Sequence, residues 1–235
     1  MAHIVRLYVD HPLGPGQSVP LDRDHANRLF NVMRLGLGAE VRVFNGQDGE
    51  WCAHVAEAGK RGGALKVESA TAPQRQPPDL WLVFAPIKKE RTDFIVEKAT
   101  ELGAARILPV HTDFTQSDRL RLDRLTAHAV AAAEQCGGTY VPRVEPLQKL
   151  SSLLDEWPED RGIMFCDETA TAGDLPAAPG PWAIFIGPEG GFSEPERTRL
   201  RAAGHTISLG PRILRADTAA VAAMTLWQAK LGDWT

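Results

Sequence analysis

Residues 182–192 read WAIFIGPEGGF and join an apolar run to a glycine-rich loop. The β-branched and aromatic residues at 182–186 predict a buried strand that ends where the loop begins. Ser193 and Glu196 then match a capping box, which predicts the start of a helix, and Gly204 is its predicted end. The stretch therefore predicts strand, loop and helix in direct succession.

A second unit of the same kind follows. Residues 206–209 predict a short strand, and the loop LGPRILR occupies 209–215. Asp217 or Thr218 is the predicted cap of a last helix that ends at Gly232. One face of that helix carries apolar side chains at helical spacing, namely Ala220, Met224, Trp227 and Leu231.

Strands and helices also alternate upstream. Residues 80–85, 106–110 and 163–166 predict strands, and residues 89–102 and 122–136 predict helices. This alternation is typical of a mostly parallel α/β sheet. We therefore expect an α/β domain over residues 80–235.

The first 72 residues show a different pattern. Short strands are predicted at 4–9, 41–44, 50–55 and 64–68, with one helix from about Asp22 to Met33. Ala26, Leu29, Phe30 and Met33 form the apolar face of that helix. Such a set predicts a small β-barrel domain at 1–72. The polar, proline-rich residues 73–79 predict a linker between the two domains.

Composition narrows the classes of function. The net charge is -4, with a sequence pI near 6.0, so bulk charge does not favour nucleic-acid binding, and RNA contacts would need a local basic patch. The three cysteines, Cys52, Cys136 and Cys166, lie far apart, which favours a reduced, cytoplasmic protein. No apolar stretch approaches a membrane span, and residues 1–6 lack a signal-peptide core. The seven histidines show no HExxH motif, so we expect no metal site.

Both glycine-rich loops offer bare backbone. Glycine lets a ligand approach the main chain, and proline stiffens the turn. Two such loops at the ends of adjacent strands are typical of a small-molecule cleft, although two tight turns without a ligand remain an open alternative. Neither a GxGxxG dinucleotide motif nor a P-loop motif is present.

The exact residues of these loops carry a family resemblance. Residues 186–191 together with 209–215 resemble the cofactor motifs of SPOUT RNA methyltransferases, and within that class they are similar to the RsmE family. The similarity extends to residues 96–103 and 134–137. It implies a C-terminal α/β domain with a deep trefoil knot, a PUA-like RNA-binding barrel in front of it, and a homodimer.

The resemblance also implies a reaction. RsmE enzymes methylate N3 of a uridine in 16S ribosomal RNA with S-adenosylmethionine, acting on the free RNA or on the assembled small subunit. By resemblance, the cofactor would be held by Ile186, Gly187, Pro188, Gly190, Leu209, Gly210, Ile213, Leu214 and Thr218. A non-catalytic RNA-binding or ribosome-assembly protein, and a SPOUT enzyme acting on another RNA base, are the alternatives.

Removal of the N3 proton places negative charge on the flanking carbonyl oxygens, which a fixed cation would stabilise. Arg215 is the candidate cation, and the alternative is a structural ion pair with Asp217 or Glu189. Glu189 and Asp217 are candidate bases, with a capping role as the alternative for Asp217.

Candidate RNA contacts are basic or polar residues in both domains. Any single arginine could instead belong to a solvated face, and Lys98 could instead pair with Glu101 on the same helix. The candidates are Arg6, Arg28, Arg34, Lys98 and Gln135.

Overall fold

The computed structural model describes residues 4–117, 119–170 and 178–234. Residues 1–3, part of the amino-terminal stretch considered above, lie outside this range. Contacts between residues divide the chain into two compact units. One contains the described residues up to Gln76 together with Ala133–Tyr140, and the other contains Pro77–Ala132 and the residues from Val141 onward. The predicted bounds 1–72, 73–79 and 80–235 stay a prediction.

The first unit is built on a mixed five-stranded sheet. Its strands are β1 (Val5–Tyr8), β2 (Ser18–Leu21), β3 (Glu40–Phe44), β4 (Glu50–Gly59) and β5 (Gly62–Ala72), in the order β1-β3-β4-β5-β2. β1 and β3 run parallel, and the other pairs are antiparallel. Side chains from all five strands meet in one apolar core. A barrel requires the two edge strands to share one core, as β1 and β2 do here. Strand β2 was not predicted from the sequence.

The helix of this unit departs from expectation. Helix α1 spans Arg23–Ala26, and Asp22 caps it by accepting a hydrogen bond from the His25 backbone N–H. The chain then widens into a π-helix over Asn27–Val32, in which Met33 donates its N–H to Arg28 O. Because a π-helix has more residues per turn than an α-helix, the α-helical spacing misplaces Met33, which is exposed rather than packed on the core.

The second unit contains a parallel sheet. Its strands are β6 (Leu80–Phe84), β7 (Arg106–His111), β8 (Arg143–Val144), β9 (Gln148–Lys149), β10 (Gly162–Cys166), β11 (Trp182–Ile186) and β12 (His205–Ile207). The order is β12-β10-β11-β6-β7-β8, with β9 also paired to β7, and every pairing is parallel. The predicted parallel α/β sheet is confirmed. All five residues of β11 are buried, as its apolar composition requires.

Helices connect and cover these strands. They are α2 (Lys89–Glu101), α3 (Leu122–Cys136), α4 (Leu150–Asp155), α5 (Glu194–Ala203) and α6 (Ala216–Leu231). Ala220, Met224 and Trp227 of α6 are buried, as predicted. On α2 the helical spacing predicts that Phe94 lies on the apolar face, but its ring is exposed and lies under the Lys98 ammonium at 5.5 Å. Within the described residues, no helix has the length and apolar character needed to cross a membrane.

Candidate functional site

A cavity of about 330 Å³ lies where three neighbouring parallel strands, β10, β11 and β12, end. Carboxyl ends of parallel strands meet at one sheet edge, so the loops that follow them form a common wall. The lining residues are Cys166, Asp167, Glu168, Ile186, Gly187, Pro188, Glu189, Gly190, Gly191, Ser208, Leu209, Gly210, Arg212, Ile213, Leu214, Arg215, Ala216 and Ala219.

The first loop is a tight turn with little side-chain bulk. Gly191 donates its backbone N–H to Pro188 O at 2.9 Å and has φ of 71°. A Cβ at Gly191 would lie only 2.6 Å from Glu168 Oε1. Phe192 is buried beyond the turn, edge-on to Phe165 at 5.3 Å. The loop therefore needs glycine for both its backbone angle and its close approach to the neighbouring chain.

The helix after this loop begins as predicted. Ser193 donates its backbone N–H to Glu196 Oε2 at 2.9 Å, and the capping box is complete. Glu196 Oε1 also accepts the backbone N–H of Asp113, whose carboxylate accepts a hydrogen bond from Ser193 Oγ at 2.5 Å. The segment after β7 is thus fastened to the start of α5, which fixes one side of the first loop.

The second loop is more open. Gly210 has φ of 107°, and a Cβ there would meet nothing within 4 Å. Ile213 is 84% exposed although its neighbours Leu209 and Leu214 are half-buried. An isoleucine so exposed beside a cavity leaves apolar surface for a ligand or a partner to cover.

A buried charge network supports the floor of the cavity. The Asp167 side chain is fully buried and accepts hydrogen bonds from Arg197 Nη1 at 2.5 Å and Arg201 Nη2 at 2.7 Å. Arg197 also pairs with Glu168 and donates from Nε to Phe192 O at 2.9 Å. Because Arg197 belongs to α5, the network ties α5 to the chain that leaves β10.

The surroundings set the protonation states of Asp167 and of the neighbouring Cys166. Burial alone would raise the pKa of the Asp167 carboxyl, but hydrogen bonds from Thr169 and Arg201 and the charge of Arg197 outweigh it and hold the pKa below its ordinary value. Burial raises the pKa of the neighbouring Cys166 thiol to about 12. Asp167 is therefore ionised at neutral pH, and Cys166 is a neutral thiol with no nucleophilic character.

Most of the predicted cofactor and catalytic residues line this cavity. They are Ile186, Gly187, Pro188, Glu189, Gly190, Leu209, Gly210, Ile213, Leu214 and Arg215. Arg215 is exposed, and no described carboxylate lies within ion-pair distance of it, so the alternative of a structural pair with Asp217 or Glu189 is wrong. Arg215 is also the N-cap residue of α6, which corrects the expectation that Asp217 or Thr218 caps this helix.

Asp217 and Thr218 do not line the cavity. They lie in the first turn of α6, where Asp217 Oδ1 accepts the backbone N–H of Thr218 at 2.8 Å. The other carboxylate oxygen of Asp217 lies 3.5 Å from the Arg91 guanidinium. The structure thus engages Asp217 in the helix start and in an ion pair, and its catalytic role stays a prediction, as does the cofactor contact of Thr218.

The predicted RNA contacts differ in how free their side chains are. Arg6 pairs with Glu50 at 2.7 Å and donates to the carbonyls of Ala133, Glu134 and Gly138. Arg28 pairs with Glu134 at 2.5 Å. These contacts join β1 and the π-helix to the end of α3 within the first unit.

The remaining candidates are more accessible. Lys98 pairs with Glu101 at 2.7 Å, so the expected intrahelical pair is present. Gln135 is exposed. Arg34 is also exposed, and no described residue forms an ion pair with it; its φ of 58° makes it the one described non-glycine residue with a positive φ.

Sequence reasoning missed the contribution of the chain after β10. Cys166, Asp167 and Glu168 line the cavity, but they carry no glycine motif. The signal was nevertheless present, because residues 163–166 predict a strand, and the residues that follow a parallel strand belong to the same sheet edge as the two loops.

Comparison with known proteins assigns the family. A model described as "RNA methyltransferase domain" matches residues 74–228, two thirds of the chain, and includes every residue of the cavity. The chain belongs to the RNA methyltransferase family. A second model, "RNA methyltransferase PUA domain", matches residues 21–68 of this RNA methyltransferase.

Individual relatives agree with the family. The chain is 29% identical over 233 residues to the Ribosomal RNA small subunit methyltransferase E of Rickettsia conorii, covering 93% of each chain. It is 28% identical over 222 residues to the protein of the same name from Bacillus subtilis, covering 86% of each.

Two solved structures are similar to this RNA methyltransferase over nearly its whole length. The Ribosomal RNA small subunit methyltransferase E of Neisseria gonorrhoeae, bound to S-adenosyl methionine, superposes with a TM-score of 0.91 at 28% identity, covering 99% of this chain and 100% of that one. A protein of Legionella pneumophila, solved with the bound cofactor SAM, gives a TM-score of 0.89 at 29% identity, with the same coverage.

Proposed function

We propose that this RNA methyltransferase transfers a methyl group from S-adenosylmethionine to N3 of a uridine in 16S ribosomal RNA. The observation that carries the proposal is the cavity of about 330 Å³ walled by the backbone of two glycine loops. Its size falls in the range of small-molecule sites. The Neisseria gonorrhoeae and Legionella pneumophila structures, each solved with this cofactor, share the whole fold.

The residues of the cavity fit the cofactor. Glycine positions leave backbone N–H and C=O groups accessible to the adenosine, and at Gly210 an added Cβ would meet nothing within 4 Å. Leu209, Ile213 and Leu214 offer apolar contacts to the base, and the carboxylates of Asp167 and Glu168 also line the cavity. When bound, S-adenosylmethionine supplies an electrophilic methyl group on its sulfonium.

The protein's chemical task is then to stabilise the deprotonated uridine. Arg215 lies at the end of the second loop and has no ion-pair partner in the part of the chain that the structure describes. We assign it to the carbonyl oxygen that gains charge as the N3 proton leaves. Glu189 is exposed on the cavity wall and is the base that the geometry favours. Asp217 is the weaker candidate, because it does not line the cavity and its carboxylate lies next to the Arg91 guanidinium.

RNA recognition is assigned to the PUA unit and to the helices of the second unit. In the PUA unit, Arg34 is exposed and has no ion-pair partner among the described residues, unlike Arg6 and Arg28. The exposed apolar residues Val32, Met33 and Leu37 lie next to it in the sequence. Gln135 and Lys98 are the candidates on α3 and α2. Arg6 and Arg28 contribute mainly by holding the first unit together.

The resemblance also motivates three statements about the whole molecule: a deep trefoil knot in the second unit, a homodimer and a cytoplasmic location. For the knot, β11 lies between β6 and β10 although it follows both in the chain, which is compatible with a threaded C-terminal segment.

For the homodimer, Phe94 of α2 and Leu226 of α6 are exposed on two helices that pack together, and a second copy would cover them. Light scattering should therefore give twice the 25.6 kDa mass of one chain.

For the cytoplasmic location, the described cysteines are all free, as in a reducing compartment.

Methylation in vitro tests the function. The protein is incubated with S-adenosylmethionine and either 16S RNA or small subunits from cells that lack the gene, and the RNA is mapped by mass spectrometry. We expect one new methyl group on a uridine N3. A methyl group on another base would favour a different SPOUT reaction. Absence of cofactor binding in calorimetry would favour the non-catalytic alternative.

A further inference from the structure

The outer face of the PUA sheet carries a group of metal-ligating side chains. In the first unit Val41, Val43, Ala53 and Val55 point into the core, so the alternate residues of β3 and β4 lie on the opposite face. Glu40 is opposite His54, and Arg42 is opposite Cys52. This pairing brings a carboxylate, an imidazole and a thiol together on one surface.

The ligand atoms of Glu40, Cys52 and His54 all lie within 4.8 Å of one another. In a tetrahedral zinc site with bonds of about 2.0–2.3 Å, neighbouring ligand atoms lie about 3.5 Å apart. The Glu40 and His54 side chains are each more than one third exposed and can move inward by this small difference. Cys52 is a free thiol and is 7% exposed, so it lies at the base of the group.

A fourth ligand is within reach. The register between β4 and β5 shifts at Cys52, and Glu68 is the extra residue opposite this shift. Its Oε2 lies 3.4 Å from His54 Nδ1. A register shift of this kind re-aims a side chain, and here it brings a second carboxylate to the same group.

The charges balance when a divalent ion is present. Thiolate, Glu40 and Glu68 supply three negative charges, and a divalent ion together with Arg42, which pairs with Glu40 at 2.7 Å, supplies three positive charges. The neighbouring Lys66 is engaged elsewhere, because its ammonium donates to Gly16 O at 2.5 Å.

We propose that Glu40, Cys52 and His54, completed by Glu68, form a binding site for a zinc-type divalent ion on the PUA sheet. The combination of sulfur, nitrogen and oxygen ligands selects zinc or cobalt over magnesium or calcium, which prefer oxygen alone. The ion would join β3, β4 and β5 and stabilise the folded unit. No sequence motif such as HExxH marks this site, because its ligands lie on separate strands that come together only in the folded sheet.

Cobalt titration of the full chain tests the site. We expect one Co²⁺ per chain, a thiolate-to-cobalt charge-transfer band, and visible bands of tetrahedral intensity. Zn²⁺ should displace the cobalt and raise the Tm with concentration, while Mg²⁺ should not.

Matched variants locate the ligands. Cys52→Ser and His54→Ala should abolish the charge-transfer spectrum or weaken binding at least tenfold, and the surface change Glu40→Gln should weaken binding without unfolding the chain. Cys136→Ser and His111→Ala are the controls and should bind normally. The proposal would be overturned by the absence of a charge-transfer band in the wild type or by a band that survives in Cys52→Ser. Unaltered affinity in a folded Glu40→Gln variant would overturn it as well.

Discussion

Arg215 and Arg212 line the cavity, and neither has an acidic partner among the described residues. Arg197 and Arg201 are both bound to Asp167, and Arg91 lies next to Asp217. A cation without a carboxylate partner keeps its full charge for a ligand, whereas a paired one is neutralised locally. Both arginines are therefore free to meet charge on a ligand, and we assign the reacting base to Arg215, which stands at the end of the second loop and begins α6.

Replacement of Arg215 by alanine should therefore lower kcat about 100- to 1,000-fold, as removal of one donor to a developing anion does. The Kd for S-adenosylmethionine should change little, because the cofactor contacts are assigned to the loop backbone. Single-turnover kinetics and calorimetry measure the two quantities separately.

Arg212→Ala is the control for this change, since Arg212 lines the same cavity and is also exposed. It should retain most of kcat. An Arg215→Ala variant that loses cofactor affinity and turnover equally would show that Arg215 is a binding residue.

Arg34 should act in RNA binding through its charge alone. Arg34→Ala is expected to weaken binding evenly across RNA sequences and to reduce the slope of log K against log salt by about 1. Arg61→Ala, which removes another exposed arginine of the same unit, should leave the slope unchanged. Filter binding at several salt concentrations measures these slopes. Equal slopes for wild type and Arg34→Ala would refute the assignment.

Residue roles were only partly predictable. The two glycine loops could be predicted as the cavity wall, because glycine and proline act on the backbone at their own positions in the sequence. The ion pair between Asp217 and Arg91 joins residues more than a hundred positions apart, and no local pattern reveals it. The same reason hid Arg6 and Glu50 as partners.

At the scale of elements, the two glycine loops differ in what they require. Gly191 needs both a positive φ and space, whereas Gly210 needs the positive φ alone. Gly210→Ala should cost about 1–2 kcal/mol from backbone strain. Gly191→Ala should cost about 1–3 kcal/mol more, because its Cβ meets Glu168 and Arg197, and it should also weaken cofactor binding. Denaturant unfolding compares the two, and equal losses would contradict the close packing of the first loop.

The charge network between α5 and the end of β10 makes a second prediction. Arg197→Met leaves the buried Asp167 with less compensation and should destabilise the fold by about 3–5 kcal/mol. Arg121→Met, which breaks the fully exposed pair with Asp123, should change stability hardly at all. Denaturant unfolding measures both, and similar losses in the two variants would argue against the network.

The pH dependence follows from the lowered pKa of Asp167. A carboxyl with a depressed folded pKa contributes stability above its unfolded pKa of about 3.9, and this contribution is lost as the pH falls toward the folded value. Wild type should therefore lose stability more steeply below about pH 4 than Asp167→Asn does. Thermal unfolding between about pH 3 and about pH 6, on both sides of the unfolded pKa, gives the comparison. Parallel profiles would contradict it.

Elements with strong local signals were predictable. The capping box at Ser193 and the apolar run at 182–186 gave α5 and β11 correctly. The π-helix at 27–32 was not predictable, because no residue motif marks its wide turns. β8, β9 and α4 are too short to show a periodicity.

At the scale of the whole molecule, RNA recognition must overcome a net charge of -4. Several acidic residues form ion pairs, among them Glu50, Glu134 and Asp167. Arg34, Arg212 and Arg215 are exposed and unpaired among the described residues. Local cations can therefore meet phosphate although bulk charge does not favour it. The two-part architecture and the parallel sheet followed from strand and helix alternation, whereas the assignment of residues 133–140 to the first unit depends on tertiary contacts.

The central claim is that the bare backbone of the two late loops holds the methyl donor. A crystal structure of the protein grown with S-adenosylmethionine tests it most directly. We predict that electron density for the cofactor fills the cavity between residues 186–191 and 209–215, with its methyl group facing Arg215. Density for the cofactor at any other place in the molecule would contradict the account.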